Sequence, residues 1–319
     1  MRKTGSIFVL VLLALAIAGC GANGNNEGNT GASAPAGENT NTGNTAAEPS
    51  GDNAAAAESE TLKKAKEKGY ITIGFANEKP YAYKEADGTL TGEAVEITKM
   101  ILKRLGVDEV RGELTEFGSL IGGLQAKRFD MITAGMFVNP ERCQAVLFAN
   151  PEYSIGEALA VKSGNPLKLN SYKAIADNKK AKVAVMAGAV ELGYLEKSGV
   201  SKDQMVIVPD QDAAISALQA GRVDAMTMTG PALQSRLDTA NDDKLERVKD
   251  FEQPVIDGKD VRGYGASAFR QGDEAFRDAF NAELEKLKQS GELLTILKQF
   301  GFTEAEQPGD MTAEELCAG

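Results

Sequence analysis

Histidine and tryptophan are both absent from the 319 residues of this chain. Without histidine there is no Ser-His-Asp or Cys-His nucleophile system, no His-ligated zinc and no imidazole proton shuttle. Without tryptophan, an aromatic cage around a ligand has to use Phe or Tyr. Basic residues are also scarce, because 35 Lys and Arg face 46 Asp and Glu, for a net charge of −11. This balance argues against nucleic acid and anionic membrane surfaces as partners.

The first twenty residues have the features of an export signal. Arg2 and Lys3 precede an apolar run at 7–17, which ends in small residues before Cys20. The run is too short to span a membrane, so residues 1–19 are predicted to be a signal peptide. The string IAGC, which ends at Cys20, resembles a bacterial lipobox. That resemblance implies cleavage before Cys20 and lipid modification of this cysteine.

The segment that follows has nothing to bury. Residues 21–60 contain no aromatic, Val, Ile, Leu or Met and no Lys or Arg. Such a composition predicts a flexible tether. Together with the lipid at Cys20, segment 20–60 would hold a globular part at the outer face of the cytoplasmic membrane. Its Asn- and Gly-rich composition favours a Gram-positive cell surface, with the periplasm as the alternative.

Cysteine is rare, with three in the chain. If Cys20 is lipidated, Cys143 and Cys317 remain, which is an even number in an exported protein. One hypothesis is a disulfide that pins the C-terminal tail, residues 303–319, to the body; this tail has five acids and no base. The alternative is two separate thiols.

From residue 62 onward, short apolar strands alternate with amphipathic helices. The pattern predicts strands at 70–76, 130–134, 182–186, 205–208 and 224–228. It predicts helices at 93–105, 189–197 and 213–220, a further helix capped by Ser119, and two C-terminal helices. Strands that alternate with helices indicate an α/β fold with mostly parallel sheets flanked by helices. In such sheets ligands bind beyond the carboxyl ends of the strands, where the strand-to-helix junctions lie.

Four strings at these junctions carry a family resemblance. They are ITIGFANEKPYAY (71–83), DGTLTGEAVEI (87–97), LIGGLQAKRFDMITAGMFVNPER (120–142) and GRVDAMTMTGP (221–231). They resemble the periplasmic solute-binding proteins of polar amino-acid ABC transporters. The resemblance implies a two-lobed, periplasmic-binding-protein-like (type II) clamshell, with lobe 1 at 60–156 plus 261–302 and lobe 2 at 157–260.

The same resemblance implies the way in which such a protein works. It would be a monomer without a cofactor or metal that hands its ligand to a membrane permease. The chain contains no nucleotide-binding loop, so a separate ATPase would supply the energy for transport. A finer likeness, in ANEKPYAY, TEFGSLIGGL, AGMFVNPERC and AGAVELGY, is to the ectoine/hydroxyectoine-binding proteins of that family. It implies a small zwitterionic ligand with one carboxylate and a ring amidinium.

The resemblance assigns the ligand carboxylate to two places. Arg142 would grip it, because a guanidinium fork donates two parallel hydrogen bonds and keeps its charge. The alternative is a surface arginine paired with Glu141 or Glu116. The backbone N–H groups of Gly188, Ala189 and Val190, at the start of the first helix of the second lobe, would add donors. The alternative there is an ordinary helix start.

The prediction for the cation end of the ligand rests on two residues, Thr229 and Glu78. Amino-acid binders of this family place an acid for the α-ammonium where this chain has Thr229. A buried primary ammonium needs an anion to offset its desolvation, so a free α-amino acid is a poor candidate. Glu78 is the only carboxylate expected in the cleft, and it would accept from the ring N–H of ectoine.

Aromatic and neutral groups complete the predicted site. Tyr81, Phe117 and Phe137 would box the ligand ring, since aromatic faces attract a delocalised cation. Asn139 and Thr229 would add neutral hydrogen bonds. For each aromatic ring taken singly, the alternative is core packing.

Three other functions stay open at this point. A polar amino-acid binder of the same family is the main alternative, with Thr229 as the discriminating residue. A dehydratase on the same fold would need a general acid or base in the cleft, and without histidine the prediction is that the chain is not an enzyme. A sensor whose loaded form docks on a receptor is the third.

Overall fold

The computed structural model describes residues 59–256 and 258–319. The predicted signal peptide at 1–19, Cys20 and most of segment 20–60 lie outside these residues. Helix α1 (Glu60–Lys68) begins inside that segment. Ser59 is its N-cap, and the Ser59 hydroxyl accepts hydrogen bonds from Thr61 N and Leu62 N. Ser59 and Glu60 therefore belong to this helix start and not to the predicted tether.

The first sheet has six strands from both ends of the described chain. They are β1 (Tyr70–Phe75), β4 (Glu109–Leu114), β5 (Met131–Phe137), β6 (Leu147–Phe148), β7 (Tyr153–Ile155) and β15 (Gly263–Phe269). Their order is β4–β1–β5–β15–β6, and β7 also pairs with β15. Strand β1 is parallel to β4 and β5, whereas β15 is antiparallel to β5, β6 and β7.

The second sheet is built from the middle of the chain. It contains β8 (Glu157–Lys162), β9 (Val183–Met186), β10 (Met205–Val208), β11 (Ala225–Thr229) and β12 (Leu245–Arg247). The order is β10–β9–β11–β8–β12. Strand β9 is parallel to β10 and β11, whereas β8 is antiparallel to β11 and β12. Two short hairpins, β2 (Tyr83–Lys84) with β3 (Leu90–Thr91) and β13 (Val255–Ile256) with β14 (Lys259–Asp260), lie outside both sheets.

Both sheets are mixed, which corrects the prediction of mostly parallel sheets. The chain leaves the first sheet after Ile155 and enters the second at Glu157, then returns at Gly263. Strands β8 and β15 thus follow direct crossings between the sheets and not helical crossovers. Parallel neighbours need a crossover connection of a dozen or more residues, whereas antiparallel ones do not. Hydrophobic periodicity carries no strand direction, so the sequence pattern missed this.

Eleven α-helices flank the two sheets in the described residues. After α1 they are α2 (Glu93–Arg104), α3 (Leu120–Gln125), α4 (Pro140–Cys143), α5 (Tyr172–Asp177), α6 (Glu191–Lys197), α7 (Gln211–Gln219), α8 (Gly230–Ala240), α9 (Glu274–Ser290), α10 (Glu292–Gln299) and α11 (Ala313–Ala318). None of these described helices is both long and apolar enough to cross a bilayer.

Two predicted helix starts differ in detail. Ser119 stands at the N-cap of α3 but its side chain makes no capping hydrogen bond, because a 3₁₀ turn at Phe117–Ser119 already leads the backbone into the helix. The helix expected at 189–197 begins at Glu191 and follows α5, so it is the second helix of this half. Helix α5 has only six residues, too few for a clear 3.6-residue period.

The C-terminal segment is attached to the first sheet. Cys143 and Cys317 form a disulfide, which joins α4 to α11 across a sequence separation of 174 residues. A capping box between Thr312 and Glu315 begins α11. Ala313 N also donates to the Asn150 side-chain oxygen at 3.1 Å. The acidic tail is therefore docked through both covalent and polar contacts.

Candidate ligand-binding site

A cavity lies where the carboxyl ends of β1 and β5 face those of β9 and β11. Eight of the predicted ligand residues line it, namely Glu78, Tyr81, Phe117, Phe137, Arg142, Ala189, Val190 and Thr229. The other lining residues are Gly135, Met186, Glu191, Gln211, Thr227 and Met228. Two predicted residues, Asn139 and Gly188, do not line the cavity, and each accepts a hydrogen bond from Arg142 instead.

Arg142 projects from the single turn of α4 and is buried, with 9% of its surface exposed. Its Nη1 donates to Phe137 O at 2.8 Å and its Nη2 to Gly188 O at 2.9 Å. Phe137 ends β5 of the first sheet and Gly188 follows β9 of the second, so the guanidinium bridges the two halves. The alternative of a surface arginine paired with Glu141 or Glu116 does not apply.

Asn139 fixes the backbone of Arg142. Its side-chain oxygen accepts from Arg142 N at 2.8 Å and so caps α4. The Asn139 side chain is thus engaged in the helix cap and does not line the cavity, and its hydrogen bond to the ligand remains a prediction. The backbone preference for Asn at an N-cap explains the residue without a ligand.

The Gly188–Val190 segment is a tight turn and not a row of free donors. Gly188 has φ +77°, and a Cβ there would lie 2.6 Å from the Gly118 Cα, so only glycine fits. Ala189 N donates to Met186 O at 3.2 Å. The predicted amide donor at Ala189 is therefore engaged in the turn, while Val190 lines the cavity immediately before α6.

The aromatic residues form both the wall of the cavity and part of the core. The Phe117 ring centroid lies 5.5 Å from the Arg142 guanidinium carbon. Tyr81 stacks on Tyr153 at 5.3 Å, and Phe137 packs at a tilt against the same ring at 6.3 Å. Tyr153 in turn donates to Gly135 O at 2.8 Å. These rings thus pack in the core and line the cavity at the same time.

Thr229 bonds to the protein across the cavity. Its Oγ1 lies 2.5 Å from the Tyr81 hydroxyl. Since one of these two hydroxyls donates to the other, one O–H donor and the unused lone pairs of both oxygens remain for a ligand. The predicted Thr229 hydrogen bond to the ligand remains a prediction, and Thr229 lines the cavity.

Glu78 is the acid that the sequence placed in the cavity. A two-residue bridge, with Glu78 N donating to Ala82 O and Ala82 N to Glu78 O, fixes its backbone. Its side chain is 5% exposed, and Oε1 has no partner among the described residues. Burial, reinforced by the negative charge of Glu191, raises the Glu78 pKa to about 8, although Arg236 and Arg142 oppose the shift. A pKa raised this far favours the protonated form of the carboxyl at neutral pH.

Two further acids lie at the same place. Glu191 lines the cavity at the first position of α6, and Glu157 is buried beside it at the start of β8. Burial raises the pKa of both, and the charge of Glu191 adds to the rise at Glu157. Two neighbouring buried carboxyl groups resist ionising together, because their negative charges repel each other. The expectation that Glu78 is the only carboxylate in the cleft is therefore wrong.

Two polar residues of the second half complete the surroundings of Glu78. Gln211 begins α7 and is 5% exposed, and its Oε1 has no partner among the described residues. Arg236 on α8 pairs with Asp212, and its charge is the largest influence that lowers the Glu78 pKa. Neither was found from sequence. The signal for Glu191 was present in AGAVELGY, one residue beyond the segment considered.

The chain matches a known family along most of its described length. The model of the bacterial extracellular solute-binding proteins, family 3, matches residues 71–304. The probable amino-acid ABC transporter periplasmic-binding protein y4tE of Sinorhizobium fredii is 37% identical over 263 residues, which cover 81% of this chain and 86% of that protein. The lysine/arginine/ornithine-binding periplasmic protein of Escherichia coli is 28% identical over 69% of this chain and 83% of its own length.

Solved structures are similar in the same way. EhuB in complex with hydroxyectoine has a TM-score of 0.75 and 41% identity, covering 81% of this chain and 98% of that chain. An ancestral arginine-binding protein bound to arginine has a TM-score of 0.65 and 27% identity, covering 73% and 99%. An ancestral amino-acid-binding protein described as a precursor of cyclohexadienyl dehydratase, at 24% identity, covers 75% and 99% with a TM-score of 0.65 and shares the fold.

Proposed function

Because this chain belongs to the bacterial extracellular solute-binding proteins, family 3, we propose that it captures ectoine or 5-hydroxyectoine outside the cell and delivers it to the permease of an ABC importer. The observation that carries the proposal is the composition of the cavity. One buried guanidinium, two lining carboxyl groups and three aromatic rings surround one small space. This set of groups complements a zwitterion whose positive charge is spread over a ring.

Arg142 takes the ligand carboxylate. Two of its N–H groups already bond to Phe137 O and Gly188 O, which hold the guanidinium in one orientation. A guanidinium has five N–H donors, so others remain for the ligand. The Val190 N–H, at the start of α6, is the backbone donor proposed beside it, because the first N–H groups of a helix lack intrahelical acceptors.

Glu78 and Glu191 take the amidinium. They reach the cavity from opposite sheets, so closing the two halves places one carboxyl from each around the cation. An amidinium ring with two N–H groups can donate to both. Tyr81, Phe117 and Phe137 contribute aromatic faces, which attract a weakly hydrated cation by about 0.5–2 kcal/mol per good contact.

A polar amino acid is the second candidate ligand, and a specific residue favours it. Glu191 is an acid in the cavity that the sequence analysis did not place there. The absence of an acid at position 229 is therefore no longer sufficient to argue against a ligand with an α-ammonium. Relatives described as amino-acid-binding proteins agree with this candidate. The two ligands differ in the groups offered to Glu78 and Glu191: an α-ammonium has three N–H donors at one point, and ectoine spreads two along a ring.

Catalysis is not part of the proposal. The relatives are binding proteins of transporters. The one dehydratase-related structure shares the fold at 24% identity. Turnover of ectoine, prephenate or arogenate on incubation with the purified protein would contradict this view.

The location follows from the family and from the N-terminal segment. Proteins of this family are extracellular. We propose that Cys20 carries the lipid and that a monomer remains tethered beside the permease. Replacing Cys20 by Ser should release the protein from the membrane fraction into the medium or periplasm, and continued membrane association of the variant would contradict the anchor.

Calorimetric titration tests the ligand. Residues 21–319, freed of carried-over ligand by dialysis under denaturant and then refolded, are titrated with ectoine, hydroxyectoine, glutamine, arginine and glycine betaine. We expect saturable binding of the two ectoines, with a Kd of about 1 μM or lower, and none of the others at that strength. Tight binding of glutamine or arginine instead would assign the amino-acid function, and the fold and transport class would stand.

A further inference from the structure

Helix α4 is too short to hold its own position. It has four residues, Pro140–Cys143, and its closing backbone bond runs from Cys143 N to Asn139 O at 3.0 Å. A single helical turn is unstable alone, because one hydrogen bond does not offset the backbone freedom that it removes. Yet this turn carries Arg142, whose guanidinium must be placed to within a few tenths of an ångström to bond both Phe137 O and Gly188 O.

The C-terminal segment clamps this turn. Cys143, the residue after Arg142, is bonded to Cys317 in α11. Helix α11 is fixed in turn by its capping box and by Ala313 N, which donates to Asn150. Cys143, Leu316 and Cys317 pack against the same apolar cluster that contains Phe117 of the cavity wall.

We infer that the Cys143–Cys317 disulfide is a positioning element for ligand binding: it fixes α4 against the body and thereby holds the Arg142 guanidinium in its binding orientation. The inference rests on the proposed function in one respect, that Arg142 takes the ligand carboxylate. The competing explanation is that the disulfide only stabilises the fold by restricting the unfolded chain. The two explanations differ in whether its removal acts through Arg142.

A double-mutant cycle separates them. The pair Cys143→Ala/Cys317→Ala is made in the wild-type chain and in Arg142→Lys, and ectoine affinity is measured by calorimetry for all four proteins. We expect the cysteine pair to raise Kd by about two- to thirtyfold in the wild-type background. The increase should be much smaller in Arg142→Lys, where the bidentate fork is already lost. An unchanged wild-type Kd, or an equal increase in both backgrounds, overturns the inference.

A second measurement needs no ligand. Amide hydrogen exchange of the ligand-free wild type is compared with that of the cysteine variant. We expect faster exchange at residues 140–146 and unchanged exchange in β9, and equal rates at 140–146 would overturn the inference. If the intact protein binds no ectoine, the proposed function fails while this measurement still decides the positioning role.

Reduction provides the same comparison if the cysteine variant does not fold. A small dithiol reduces the native wild-type protein: the S–S bond breaks, each sulfur gains one electron and one proton, and the dithiol becomes a cyclic disulfide. The two thiols are then blocked with a small alkylating reagent, and exchange at 140–146 is measured against the oxidised protein. The expected and contradicting outcomes are the same as for the variant.

Discussion

The Tyr81 hydroxyl and Thr229 Oγ1 lie 2.5 Å apart and join the segment after β1 of the first sheet to the end of β11 of the second. The Arg142 guanidinium makes a second such link, to Gly188 O at 2.9 Å. Three of these four residues also belong to the proposed ligand set that lines the cavity. If these residues bind the ligand as proposed, closure of the two halves and ligand binding use the same side chains, so a change in one is expected to change the other.

Loss of the Tyr81–Thr229 hydrogen bond should weaken ligand binding. Tyr81→Phe and Thr229→Val each remove it while keeping most of the packing volume. A net contribution of about 0.5–1.5 kcal/mol for one hydrogen bond corresponds to a Kd raised about two- to tenfold. The double variant should be little worse than either single one, because both remove the same bond.

A matched control exists within the second half. The Tyr172 hydroxyl lies 2.5 Å from Thr227 Oγ1, a similar bond that does not cross the cleft. Tyr172→Phe is expected to lower the melting temperature without weakening ligand binding by more than the error of calorimetry. If Tyr172→Phe weakens binding as much as Tyr81→Phe, the effect is not specific to the bond between the halves.

Ligand binding should release a proton and strengthen with pH. Burial and Glu191 raise the Glu78 pKa to about 8, against the charges of Arg236 and Arg142 and with a further rise from Asp210. An amidinium prefers the ionised carboxylate, so below pH 8 the proton must leave when the ligand binds. Affinity should therefore increase from pH 6 to about 8 and then level off.

Calorimetry at pH 6.5 in two buffers with different heats of ionisation measures this proton directly. We expect release of up to about one proton per ligand bound. Glu78→Gln should bind more weakly and release less. Proton uptake, or an affinity that falls as pH rises from 6 to 8, would contradict the assignment of Glu78 to the cation.

Arg142 should account for a large part of the affinity. In Arg142→Lys the charge is kept but the planar fork is lost, and one buried charge contact is left poorly paired. Loss of one hydrogen bond to a charged group costs about 1.5–3 kcal/mol, so we expect Kd to rise at least about tenfold. Arg270→Lys is the control, because Arg270 also donates to a backbone oxygen, Phe129 O, but does not line the cavity. Comparable losses in both variants would argue against a ligand role for Arg142.

The sequence predicted five of the eleven strands of the two described sheets, and most of the cavity wall, but not the contacts that span the cleft. Local periodicity indicated the strand-to-helix junctions, and the family resemblance assigned Glu78, Phe137 and Arg142 to the site; all three line the cavity. The Tyr81–Thr229 bond joins residues 148 positions apart, and no local pattern encodes such a pair. Glu191 was missed because the predicted site segment ended at Val190, one residue before it.

The mixed sheets illustrate the same limit. Whether β8 and β15 run parallel or antiparallel to their neighbours depends on how the chain crosses between the halves. The hydropathy of the residues around Gly156 and Gly263 does not indicate the direction of the strand. The capping role of Asn139 was, in contrast, available from sequence. Asn is a common N-cap residue and Pro is common at the first helical position, so Asn139 followed by Pro140 indicates a helix start. The sequence analysis did not use this local explanation and predicted a ligand contact instead.

The last prediction concerns a buried carboxyl pair that lies outside the cavity. Glu93, at the start of α2, and Glu152, before β7, are each fully buried. Glu152 Oε1 accepts from Ser267 N at 3.0 Å, whereas neither Glu93 oxygen has a partner among the described residues. Burial raises the pKa of both, and the Glu152 charge adds to the rise at Glu93; for Glu152 the pKa goes from 4.5 to about 7.

The folded protein consequently binds more protons than the unfolded chain between about pH 4.5 and 7, so its free energy of unfolding should fall as pH rises through this window. Thermal unfolding of the ligand-free protein, followed from pH 5 to 8, should show a falling melting temperature. Glu93→Gln keeps the size of the side chain and removes one titrating group, so its melting temperature should fall less. Glu246→Gln, on the partly exposed strand β12, should follow the wild-type slope. A melting temperature that rises from pH 5 to 8, or a Glu93→Gln slope equal to that of the wild type, would mean that the pair is ionised in the folded protein.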